Sequence, residues 1–202
     1  MTPSAAELGL RERKKVATRQ ALHDAAFRLA MEHGVGHVTV EAIADEAGVS
    51  RRTFSNYFAN KEEALLYGDQ QRMRVLIGMV RARPAHESPW TALTKAAQEF
   101  YPQFGDLDPE WAAQGRLLRA QPALVAAQVH TYAAVERELA AAVAARLTRE
   151  DPFDVRARLT AAAFLAALRV ALQIWLDGTS GRQLSELVSE TLTEAGRGFQ
   201  GR

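Results

Sequence analysis

The stretch from Thr39 to Lys61, TVEAIADEAGVSRRTFSNYFANK, admits few backbone arrangements. It predicts two short helices joined by a tight turn. Ile43, Ala44 and Ala47 fall on one face of the first helix, with Ala44 small enough to let the two helices approach. Gly48 can take the left-handed backbone of the turn without steric cost. Val49 fills the space beneath the turn, and Ser50 can accept a hydrogen bond from the free N–H groups that open the next helix. Phe54 and Tyr57, three apart, share a face of that second helix. An apolar stripe alone would fit any helical hairpin. Alanine, glycine and apolar positions at offsets fixed by one geometry fit a helix-turn-helix, which sets its second helix in the DNA major groove.

Arg51, Arg52, Thr53, Ser55 and Asn56 occupy the first two turns of that second helix and point away from its apolar stripe. Arginine can make a bidentate contact to guanine, and asparagine to adenine. Each arginine reads equally well as a phosphate contact. Thr39 and Lys61 both sit at helix N-termini, where free N–H groups and the helix dipole favour an anion. The Tyr57 ring can belong to the core while its hydroxyl reaches a phosphate.

The 202 residues carry a net charge of only +1, which excludes a generally basic nucleic-acid binder. Charge is arranged locally instead. Residues 11–19 hold five basic side chains (Arg11, Arg13, Lys14, Lys15 and Arg19) against Glu12 alone, and Arg51, Arg52 and Lys61 cluster around the motif. Phosphate affinity follows such patches rather than the total, although a basic helix start can also be merely solvated. Cysteine is absent, so no disulfide, thiolate metal site or cysteine nucleophile exists. That composition suits the cytoplasm. The basic N-terminus lacks the following apolar stretch of a secretory signal. No unbroken run of eighteen apolar residues occurs, so no membrane span is expected.

Proline, glycine and capping residues divide the chain into helices, and no segment alternates as strands do. The predicted class is all-α. A first helix from near Arg13 to His33 buries Leu22, Ala26, Leu29 and Ala30, and Gly34 ends it. Asn60 with Glu63 resembles a capping box opening a helix to about Val80. Further helices are predicted over 89–104, 109–120, 122–148, 152–176 and 182–199, four of them headed by proline, which suits a first turn.

The sequence resembles the TetR family of transcriptional regulators. The resemblance rests on AMEHGVGHVTV, EAIADEAGVS and RRTFSNYFANKEEAL, with Tyr57-Phe58 followed by Asn60-Lys61-Glu62 as its most specific piece, and is sharp over residues 11–67. It implies an arm and three-helix DNA-binding domain over 1–60 and a helical effector-binding and dimerisation domain over 61–202, linked by the helix at 61–80. It implies base reading by Arg51, Arg52, Thr53 and Asn56, with phosphate contacts from Thr39, Tyr57 and Lys61; Ser50 joins this DNA-facing set. It implies a homodimer on a palindromic double-stranded operator, more often repressing, released by a hydrophobic or amphipathic small molecule. The late tryptophan and glycine turn also look like members with an acyl-CoA-like ligand domain.

In the second region, the helix at 152–176 is apolar nearly all round, with a row of alanines including Ala166. Such a helix needs cover on every side, which a bundle formed by the last two helices of two chains would supply; a central helix within one chain satisfies it too. Aromatics concentrate from Trp90 to Trp111, interrupted by Pro102, Gly105 and Pro109. Ligand pockets are mostly apolar with a few polar groups, so Phe100, Tyr101, Phe104, Trp111, Phe164, Arg169 and Trp175 are the expected ligand set. Plain core packing explains any one aromatic as well. Arg169 interrupts an apolar helix, and a buried guanidinium demands a partner: a carboxylate, carbonyls at a helix end, or an anionic effector group.

No metal site, cofactor fingerprint or catalytic constellation is expected, since His33 and His37 straddle a helix end and the motifs of nucleotide and hydrolase sites are missing. Two rival readings remain at this stage: a dimeric DNA-binding protein without an effector, and a helical enzyme with an incidental hairpin.

Overall fold

A computed structural model describes residues 9–104, 112–113, 115–117, 121–147, 153–178 and 181–198. Its α-helices with defined bounds are α1 (Leu10–His33), α2 (Val40–Glu46), α3 (Arg51–Ser55), α4 (Lys61–Ala82), α5 (Pro89–Phe104), α6 (Pro122–Ala144), α7 (Val155–Leu176) and α8 (Leu184–Gly196), with a 3-10 turn at Val35–His37. No strand occurs among the described residues. The all-α expectation therefore holds. The predicted helix at 109–120 lies mostly outside the described residues, though 112–113 and 115–117 are helical.

The helices group into two compact units: residues 1–72 with 117–130, and 73–116 with 131–202. Two helices, α4 and α6, contribute one end to each.

The first unit is organised by local chemistry that the sequence announces. Thr39 Oγ1 accepts from Ala42 N at 3.1 Å and Ser50 Oγ from Thr53 N at 3.1 Å, capping α2 and α3. Gly48 has φ +66, the left-handed turn that only glycine takes freely. Asn60 Oδ1 accepts from Glu63 N at 2.8 Å, and Glu63 Oε2 reaches back to Ala59 N at 2.7 Å. The return arm of this capping box thus lands one residue before the cap. Leu22, Ala25, Ala26, Ile43, Ala44, Phe54, Phe58, Leu65 and Leu66 form the core.

The second unit is built around α7 and α8, which pack on each other, and α5, which packs on both. Trp90, Phe100, Tyr101, Phe164, Leu168, Leu187 and Leu192 are buried in its core, with Trp90 edge-on to Phe164 at 6.4 Å. Pro102 interrupts the aromatic segment without ending the helix, whose expected bounds of 89–104 hold. Helix α5 runs through it to Phe104, because a proline in the last turn removes a single helical bond.

Helix α7 is long and apolar enough to cross a membrane by length and composition, and it buries Ala157, Phe164, Leu168 and Ala171 within this unit. Its cover is one-sided within a single chain. Val155, Leu159, Ala166, Val170 and Ile174, four or seven apart, form an exposed and largely apolar stripe. Arg169 lies on that outer side, exposed. The expectation of a buried guanidinium is corrected: position 169 follows Ala166 by three and precedes Gln173 by four, so it turns outward with them.

Candidate nucleic-acid interface

The recognition segment presents its polar side to solvent. Arg51, Arg52, Ser55 and Asn56 are exposed and Thr53 is partly so, while Phe54 and Phe58 are buried beneath them. Arg51 pairs with Glu41 on α2 at 3.0 Å, across two strongly exposed side chains. The hydroxyls of Ser50 and Thr53 are 2.9 Å apart. Asn56 N is bonded to the Arg52 carbonyl at 3.2 Å, which fixes its backbone and leaves its side chain outward.

The basic start of α1 lies beside this segment. Arg11, Glu12, Lys14 and Lys15 line one groove of about 510 Å³ together with Thr53, Asn56 and Tyr57. Three cations and Glu12 therefore share one groove with Thr53, Asn56 and Tyr57. The sequence held the signal for this: Arg11, Lys14 and Lys15 follow the i, i+3, i+4 spacing of one helix face. What it could not give was the placement of that face next to α3. Tyr57 is half-buried, packed against the core while also lining the groove. Its expected place against the core holds. Thr39 is exposed at the start of α2.

Two cations are bonded inside the unit. Lys61 Nζ donates to the carbonyls of Val35 at 3.0 Å and Val38 at 2.9 Å. Two of its three N–H donors are thus committed inside the unit, where it fixes the turn that delivers Thr39. Arg19, the last residue of the basic run, is also withdrawn from the open face. Its Nη2 donates to the Tyr57 carbonyl at 3.2 Å, and its guanidinium carbon lies 5.6–5.8 Å from the ring centres of Tyr57, Phe58 and Tyr67. One turn further along α1, the buried His23 Nδ1 donates to the Ala64 carbonyl at 2.8 Å. Burial above all pushes its imidazole below the ordinary 6.5, so it is neutral in the fold.

The expected ligand set is not gathered at one open surface. Phe100, Tyr101 and Phe164 are core residues of the second unit, and Trp175 packs partly buried against that core. Trp111 and the Phe104 side chain lie outside the described residues, and Arg169 faces solvent. In the same unit, Arg146 donates to the carbonyls of Val80, Arg83 and Pro84 at 2.7–2.9 Å, closing the end of α4. The ring of His37 is held by the His33 carbonyl at 2.9 Å, and no cluster of metal-ligating side chains occurs among the described residues.

Comparison with known proteins agrees with this layout. Residues 22–67 match the model of bacterial regulatory proteins of the tetR family, and residues 87–200 match the MftR C-terminal domain. The HTH-type transcriptional regulator TcmR of Streptomyces glaucescens is 33% identical over 173 residues, covering 83% of this chain and 76% of TcmR. Among solved structures, FadR of Thermus thermophilus, a TetR-family repressor in complex with lauroyl-CoA, has a TM-score of 0.58 at 23% identity, covering 91% of this chain and 96% of its own. SmeT, the repressor of a Stenotrophomonas maltophilia multidrug efflux pump, has a TM-score of 0.61 at 17% identity, covering 89% of each chain.

Proposed function

Because this chain belongs to the TetR family of bacterial transcriptional regulators, we propose that it is a cytoplasmic homodimeric repressor, binding a palindromic operator and released by a hydrophobic or amphipathic small molecule. One observation carries the DNA part: the single groove that joins Arg11, Lys14 and Lys15 to Thr53, Asn56 and Tyr57. Cations there neutralise phosphates, and the exposed Arg51, Arg52 and Asn56, with the partly exposed Thr53, reach base edges. Thr39 and Tyr57 flank them toward the backbone, with Ser50 supporting Thr53 from below.

The dimer is supported by the outward stripe of α7, since Leu159 is 60% exposed and Val155 51% in a single chain. Contiguous exposed apolar surface of this kind marks an association site. Two joined heads would read two half-sites one helical turn apart. The effector class is supported by the aromatic core around Phe100, Tyr101, Phe164 and Trp175. Structural neighbours hold lauroyl-CoA, whose acyl chain is apolar and whose coenzyme A part is anionic, and, in SmeT, the apolar triclosan.

The test is selection of random duplex DNA with the full chain, followed by titration of the enriched duplex with fatty acids, acyl thioesters and aromatic biocides. Enrichment of a two-fold symmetric sequence, with release by one of these classes, is expected. Enrichment of no sequence would overturn the DNA reading, and release by none of them would overturn the effector reading.

A further inference from the structure

We propose that Arg19 is a positioning residue for base recognition: it caps the end of the recognition segment from α1 without touching DNA. The inference rests on the DNA-binding reading above and deepens it. Helix α3 is only five residues long. A helix this short has almost no stability of its own and takes its geometry from what packs around it. The carbonyls of Arg52, Thr53 and Phe54 already accept from the N–H groups of Asn56, Tyr57 and Phe58, and a cation just past a helix C-terminus is favoured by the dipole and can serve the carbonyl that follows the turn. Arg19 supplies that cation. Its Nη2 reaches the Tyr57 carbonyl at 3.2 Å, just beyond the final turn.

The guanidinium cannot swing away to a phosphate without loss. It sits 5.8, 5.6 and 5.7 Å from the ring centres of Tyr57, Phe58 and Tyr67, within cation–π range of all three. Its Nε is buried with no hydrogen-bond partner among the described residues, so the aromatic faces are what surround that edge. The rings are themselves locked: Phe58 is edge-on to Tyr67 at 5.5 Å and tilted against Phe54 at 5.8 Å. Arg19 therefore ties α1, the end of α3 and the start of α4 at one point. Asn56 and Tyr57, which line the DNA groove, hang directly from that point.

A phosphate contact and a positioning residue leave different signatures on DNA binding. Losing a phosphate contact weakens all sequences alike and lowers the salt slope by about one per half-site. Losing a positioning residue misaligns base readers, so the operator suffers and unrelated DNA does not. Lysine is no substitute, because a compact, strongly hydrated ammonium lacks the planar, weakly hydrated head that can sit among aromatic rings while one edge donates to a carbonyl.

The experiment compares wild type, Arg19→Met and Arg19→Lys by fluorescence anisotropy. The probes are the operator enriched by the wild type and an unrelated duplex of equal length. Titrations run at several KCl concentrations and at a temperature where circular dichroism shows each protein folded. Expected is a loss on the operator of roughly tenfold or more for Met, unrelated-duplex affinity within about twofold, and an unchanged salt slope. Lys is expected to stay closer to Met than to wild type. Parallel loss on both duplexes with a lower slope would make Arg19 a phosphate contact and overturn the proposal. Unaltered operator affinity would make it packing alone. Should Met fail to fold, Lys decides, since full binding by Lys would mean that a point charge suffices. A wild type that enriches no duplex would instead sink the DNA reading itself, a result distinct from either.

Discussion

Arg51, the first residue of the recognition helix, is held 3.0 Å from Glu41 on the preceding helix, with both side chains more than half exposed. Ion pairs this exposed contribute little to stability, about 0–1 kcal/mol. The effect on DNA binding is larger, because Glu41 places an anion where phosphates must approach and holds a cation that could serve them. Glu41→Gln is expected to leave the thermal midpoint nearly unchanged while tightening binding to operator and unrelated duplexes alike. Anisotropy titrations at two salt concentrations check this. Weaker operator binding would mean instead that Glu41 aims Arg51 at its base.

Gly196, near the end of α8, faces the edge of the Trp90 indole. A Cβ at 196 would lie 2.3 Å from Trp90 Nε1. Two opposing effects can be weighed. Alanine is the better helix former by roughly 0.5–1 kcal/mol. Overpacking a rigid core contact costs typically about 1–3 kcal/mol. The ring is 5% exposed and cannot retreat easily, so the clash should win. Gly196→Ala is expected to lower the urea midpoint and to shift tryptophan emission. A rise in stability would show that α8 can move away from α5 freely.

Most of the first unit was legible in the sequence because its geometry is set by short-range rules. Caps at Thr39, Ser50 and Asn60 and the turn at Gly48 depend on neighbours within four residues, and each was found where the residues place it. The exposed face of Arg51, Arg52 and Asn56 follows from helical period alone. The partners of Lys61 and Arg19 were not legible for one reason. A cation's partner can be any carbonyl in space, and theirs lie 23 to 38 positions away in sequence. Arg169 failed differently. A helix apolar all round hides which side its own chain covers, and only the packing of α5 and α8 against α7 shows that Arg169 is on the other side.

That uncovered side gives the next test. Ala166 lies in the exposed stripe of α7, among Val170 and Leu159, so a large side chain there should not disturb the chain's own core. Ala166→Arg is expected to give a folded monomer in sedimentation, with helicity and thermal midpoint close to wild type. Operator affinity should collapse, since one head reaches only one half-site. A folded dimer with normal operator binding would show that this face is not the dimer surface.

Acid should loosen the two units in different pH ranges. In the first, the neutral His23 donates to Ala64, and burial holds its pKa below the ordinary 6.5; Arg72 acts in the same direction, against Asp24 and the carbonyl. A depressed folded pKa means stability that is full above 6.5 and lost as pH falls below it. In the second, Glu87 is bonded by Arg83 at 2.6 Å and by Lys95 at 2.8 Å, and these bonds, Arg83 foremost, lower its carboxyl from 4.5 to about 2. Its contribution is full above 4.5 and fades only as pH falls toward about 2. Hydrogen exchange, corrected for intrinsic rates, should therefore show amides of α1 and the start of α4 losing protection first. Those of α5 should hold until pH drops below 4.5. His23→Gln, which keeps an N–H donor but cannot take a proton, should flatten the first loss and leave the second. Glu87→Gln should do the reverse, at a lower stability near neutrality. Simultaneous loss in both units, unmoved by His23→Gln, would show that His23 has no part in the acid response.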